Sequence, residues 1–98
     1  MELIFKIRKD IETQFKNGVK IRPDRLNPID IAFVIQDDVI VQVFEIDNEN
    51  IEYNARTKTI EINSILGKEI KNHELIGKKV DYQTFNPATI NNIEQLLI

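Results

Sequence analysis

Cysteine and tryptophan are both absent from this 98-residue chain. Without cysteine there is no disulfide framework, no thiol nucleophile and no thiolate metal site. Glycine and proline number three each, and no glycine-rich phosphate loop occurs. The single histidine, His73 in "KNHELIG", has no second histidine or cysteine with which to share a metal, so a surface position near a helix terminus is the simpler reading. Long hydrophobic runs are missing too: the longest covers residues 31–35, far short of the roughly 20 residues that span a bilayer. The N-terminus "MELIFKIRKDIE" has acidic Glu2 ahead of its apolar stretch and basic residues after it, the reverse of a secretory signal. A single soluble domain over 1–98, cytoplasmic, is expected.

Charge of one sign is missing locally. Residues 26–55 hold seven acids and no lysine or arginine, whereas residues 1–25 hold seven basic side chains against four acids. A protein that coats duplex DNA presents a broad basic surface, because counterion release supplies most of that affinity. This chain, net −3, has at most one basic face. A pocket for one nucleotide-sized anion, or docking to a basic protein, remains open beside the plain alternative of a solvated mixed-charge surface.

What is present is mostly short extended segments. "LIFKI" suits a strand over 2–8, and Ile7, Ile11 and Phe15 recur at helical spacing, giving a helix over 10–17 capped by Asp10 and ended by Gly18. "VKIR" resumes an extended run that Pro23 breaks, and "PDRL" forms one helical turn with proline first. "IAFVIQDDVIVQVFEID" predicts an antiparallel hairpin, 31–36 and 39–46, about an Asp37-Asp38 turn, with Phe33, Val34, Ile35, Val41, Val43 and Phe44 buried. Neither strand has a polar face, so both are expected to be central. A further strand falls near 58–63 with Ile60 and Ile62 inward. "GKEIKNHELIGKKV" reads as a turn, a short helix and a strand through Tyr82, and "NPATINNIEQLLI" as a helix capped by Asn86 with Pro87 first. Brief strands with two apolar faces close most naturally into a small mixed β-barrel of the α+β class, with short helices at its ends.

The order "GVKIRPDRL", "IAFVIQDDVIVQVFEID", "KTIEIN", "LIGKKV", "FNP", spanning about residues 18 to 90, resembles the PUA-like domains related to EVE and ASCH modules, some of which are attached to nucleases or restriction systems. The tryptophans common in that pattern are missing here, and the tail reads as a helix where the family often continues as a strand. The resemblance implies a pocket in a small barrel that accepts a flipped or modified base, or a nucleotide.

The groups available to line such a mouth are Arg22 and Arg25 after the first strand, Tyr53 and Asn54 beyond the hairpin, and Tyr82, Gln83, Phe85 and Asn86. Tyr82 and Phe85 offer stacking faces, and Gln83 and Asn86 pair a donor with an acceptor for a base edge. Alternatively Tyr82 and Phe85 close the core and Asn86 only caps the last helix. Glu45 lies beside apolar strand positions and calls for a partner among Arg22, Arg25 and Arg56. Asp37 and Asp38 are explained by turn chemistry without a metal, and Ser64 lacks any nucleophile motif. The expected function is therefore a non-enzymatic domain, without cofactor or metal, that binds a modified base or nucleotide-like ligand. The other reading is a small inhibitor or anti-defence protein that sequesters a nucleotide signal, or occludes a protein partner through acidic Asp37, Asp38, Glu49 and Glu52.

Overall fold

Alternating burial along the first strand sets the architecture. In β1 (Glu2–Lys6) Leu3 and Phe5 point to one face and Ile4 to the other, and all three are fully buried, so layers must cover both sides. The computed structural model describes all 98 residues. Asp10 accepts from the Thr13 N–H at 3.0 Å and caps a single turn, α1 (Ile11–Gln14), shorter than the predicted 10–17. Gly18 takes φ +92, and a Cβ there would lie 2.7 Å from Thr59 Cβ, so only glycine fits this close approach. α2 (Pro23–Leu26) is the expected "PDRL" turn. The chain from 7 to 30 thus makes the crossover that a parallel strand pair requires, and β2 (Ile31–Gln36) returns parallel to β1.

The predicted hairpin is present: β2 pairs antiparallel with β3 (Val39–Ile46). Asp37 and Asp38 have φ of 53 and 61, the left-handed pair that a type I′ turn requires. One expectation fails at Val41. Ile35 pairs with Ile40 but Val34 pairs with Gln42, so Val41 is an extra residue in a bulge and is 37 % exposed rather than buried. The bulge also resets the parity, bringing Ile40 and Val43 to the same face as Phe33 and Ile35.

After the hairpin come β4 (Tyr53–Asn54) and β5 (Thr59–Ile60), which form a separate two-stranded ribbon. The strand predicted over 58–63 ends at Ile60, because Glu61 caps α3 (Ile62–Ile65) by accepting from the Ser64 N–H at 3.0 Å; Ile60 and Ile62 are nevertheless buried. β6 (Leu66–Glu69), where a turn was expected, pairs with β3. Residues 70–82 follow as turns and isolated extended pairings in place of the expected short helix. The tail departs most: β7 (Ala88–Asn91) is a strand antiparallel to β1, and only α4 (Ile93–Leu96) is helical. Thr89 and Ile90 are β-branched, and the pairing offered by β1 outweighs the Asn-Pro helix-start signal.

The result is a compact α+β domain built on a mixed five-stranded sheet of order β6-β3-β2-β1-β7 with short helices. No closed barrel forms, since β6 and β7 are its two edges. The apolar hairpin is instead buried between two layers. On one face α1, α2, α3 and the β4–β5 ribbon enclose Leu3, Phe5, Val34 and Phe44. On the other, residues 70–82 and α4 cover Ile4, Phe33, Ile35 and Val43. No helix is long and apolar enough to cross a membrane.

Candidate functional site

The hairpin tip and the segment beside it build one end of the sheet into a cleft. Gly77 N–H donates to Ile40 O at 2.8 Å, Ile40 N–H to Lys78 O at 3.0 Å and Val80 N–H to Asp38 O at 2.9 Å, so residues 77–80 run alongside the start of β3 and hold the tip. The end of β1 enters from the other side, where Lys6 Nζ donates to Tyr82 O at 2.9 Å. Next in the chain, Thr84 Oγ1 donates to Asn86 O at 3.0 Å and accepts from the Asn86 N–H at 3.1 Å, a turn closed by one side chain. Phe85 is held at the apex of that turn.

Phe85 is fully exposed, at 109 % of its reference area, while every other phenylalanine is buried. Burying such a side chain is worth about 1.5–3 kcal/mol, which this turn forgoes. Two lobes of a cleft meet at the ring, one of about 890 Å³ and one of about 500 Å³, and Lys6, Asp37, Asp38, Thr84 and Phe85 line both. Lys79, Asp81 and Gln83 belong to the larger lobe and Arg8 to the smaller. Neither Lys6, Arg8 nor Lys79 is ion-paired with Asp37, Asp38 or Asp81; the ion pairs of the molecule are Met1 N with Glu2 and Arg22 with Asp24. The cleft therefore offers an aromatic face, an amide and a hydroxyl, and free charges of both signs. Neither histidine nor serine is among its lining residues.

The residues singled out from sequence are dispersed. Gln83 and Phe85 line the cleft just described. Tyr53 and Asn54 line a separate one of about 570 Å³ with Lys16 and Glu52, and Asn54 Oδ1 is occupied by the Arg56 and Thr57 N–H groups. Arg25 borders a third, beside Ile29 and Ile90, and Arg22 is exposed and paired with Asp24 at 3.3 Å. Tyr82 is 4 % exposed and packs in the core, its hydroxyl hydrogen-bonded to Thr89 Oγ1. Asn86 caps no helix: its Oδ1 accepts from the Ala88 N–H at 3.1 Å at the start of β7. Glu45 has none of the expected arginine partners and is exposed.

The acidic stretch is divided as well. Asp37 and Asp38 stand at the hairpin tip, and Glu49 and Glu52 lie beyond the far end of β3, whose eight residues span roughly 26 Å. His73 is half-buried, its ring edge-on to Phe33 at 5.3 Å and its Nδ1 accepting from the Leu75 N–H at 3.1 Å. No group of three or more histidine, cysteine or carboxylate side chains is arranged to hold a metal. Lys6 was missed from sequence because it reads as an ordinary strand position, and the residue that draws it into the cleft lies 76 positions away. Thr84 was missable on weaker grounds: a hydroxyl residue two before Asn86 is a local turn signal.

Comparison with known protein families, curated proteins and solved structures finds no match to this chain.

Proposed function

We propose that this chain is a non-enzymatic binding domain that holds a modified base or nucleotide-like ligand in the cleft against Phe85. One observation carries the reading: a phenylalanine pinned outward by a side-chain-closed turn, at the junction of two lobes lined by Lys6 and Gln83. Base-on-aromatic stacking is worth about 1–3 kcal/mol per base, comparable to the burial that Phe85 forgoes. The motif order resembling PUA-like domains supports the same ligand class. Because the sheet does not close, the ligand in this reading lies in a surface groove rather than in a barrel mouth.

An inhibitor that sequesters a nucleotide signal would use this same cleft. Occlusion of a partner through one acidic surface is less well supported, since Asp37 and Asp38 are separated from Glu49 and Glu52 by the length of β3. A thermal-shift screen against nucleosides, nucleotides and modified nucleosides tests the proposal. A ligand at 100 times its Kd adds about 2.7 kcal/mol to stability, a rise of roughly 10–20 °C in a domain this small. Phe85→Ala should abolish that rise. If no compound in the screen raises the melting temperature, or if Phe85→Ala responds as the native protein does, the proposal is wrong.

A further inference from the structure

The charge layout of the two lobes restricts which nucleotide fits. Three cations, Lys6, Arg8 and Lys79, and three carboxylates, Asp37, Asp38 and Asp81, line the two lobes that share Phe85 as a border, and none of the six pairs with another. A ligand of a single sign would meet as much repulsion as attraction there. A ligand with a donor-rich aromatic end and an anionic end satisfies both sets at once. Resting on the proposal that this cleft is the ligand site, we infer that it takes a guanine-type nucleotide. The base stacks on Phe85, its adjacent N1–H and 2-amino donors meet the carboxylates of the hairpin tip, and its phosphate is held by the lysines.

Each part follows from chemistry on those residues. A carboxylate is an acceptor only, with two oxygens spaced to receive two neighbouring N–H groups. Guanine presents such a pair on its Watson–Crick edge, whereas adenine turns its N1 lone pair toward the carboxylate and is repelled. Tethering of Asp38 O by the Val80 N–H at 2.9 Å fixes the tip that carries these carboxylates. Lys6 gives one ammonium proton to Tyr82 O and keeps two for a phosphate oxygen. Lys79, which is exposed, adds a second charge at the same lobe.

Calorimetric titration of the full chain with GMP, IMP, AMP and guanosine tests this directly. GMP should bind at least about tenfold tighter than AMP, with IMP, which lacks the 2-amino group, between them. Asp37→Asn with Asp38→Asn keeps residues that tolerate the left-handed turn and should collapse the GMP preference toward unity. Lys79→Met should weaken GMP several-fold and leave guanosine unchanged. Equal affinity for GMP and AMP, both lost in Phe85→Ala, would overturn the guanine assignment and leave the cleft as the ligand site. No binding of any of the four would likewise overturn the guanine assignment, and binding of GMP that Phe85→Ala does not alter would overturn both.

Discussion

Truncating two phenylalanines of the same chain separates a binding platform from a core. Phe33 is 2 % exposed, packed between Ile4, Ile35 and Val43 with the His73 ring against its edge. Phe33→Ala removes that packing and leaves a cavity, at a cost of about 3–5 kcal/mol. For a domain of this size each kcal/mol lowers the melting temperature by about 4–8 °C, so Phe33→Ala should lower it by at least roughly 12 °C, or prevent folding. Phe85 buries none of its reference area, and Phe85→Ala should fall within about ±0.5 kcal/mol of the native protein. Urea denaturation of both variants beside the native chain reads the two values, and an unchanged slope shows that each midpoint shift is a change in stability. A loss above about 2 kcal/mol in Phe85→Ala would mean that the ring packs against the domain, and the reasoning that makes it a docking face would be refuted.

Three further outcomes follow from the fold. Thr89→Pro should cost at least about 3 kcal/mol, because residue 89 sits opposite Ile4 in the β1–β7 ladder; in a helix begun by Pro87 the same substitution would fall in the tolerant first turn, so a near-native melting temperature would restore the helical tail. Gly18→Ala should destabilise by more than the roughly 1–2 kcal/mol of a left-handed alanine, since its Cβ also meets Thr59 at 2.7 Å; Thr59→Gly combined with it should recover the clash and leave the backbone cost. The Asp10 carboxyl is held below its usual 3.8 by the Thr13 hydroxyl and then the Thr13 N–H. Its charged form is therefore favoured in the folded state, and its stabilisation is present above the unfolded value and lost as pH falls through the folded one. The stability difference between native protein and Asp10→Ala should accordingly narrow in acid, and a difference that grows on acidification would contradict the cap.

Local signals were legible and non-local ones were not. Asp10, "PDRL" and the two apolar runs about Asp37-Asp38 each carry their instruction within a few residues, and each forms where the sequence places it. The tail "NPATINN" carries a helix-start signal, yet its fate is set by β1, more than 80 positions away, whose open edge accepts it as a strand. Val41 is exposed because one extra residue enters β3, and an insertion in the ladder leaves no mark in the alternation of "VIVQVFEI". Two apolar strand faces suit the inside and outside of a barrel, but an open sheet between two layers produces the same pattern, and only the pairing of both edges distinguishes them. Among the candidate site residues, Gln83 and Phe85 come together with Lys6 and the hairpin tip through contacts across the whole chain. Tyr53, Asn54, Arg22 and Arg25 stay on other surfaces.

Backbone amide chemical-shift mapping during a GMP titration tests the central claim most directly. The account predicts shifts confined to residues 6–8, 37–38 and 79–86, saturating with ligand and absent from Phe85→Ala. Shifts centred on Tyr53 and Asn54 or on Arg25, with residues 83–86 unmoved, would contradict it.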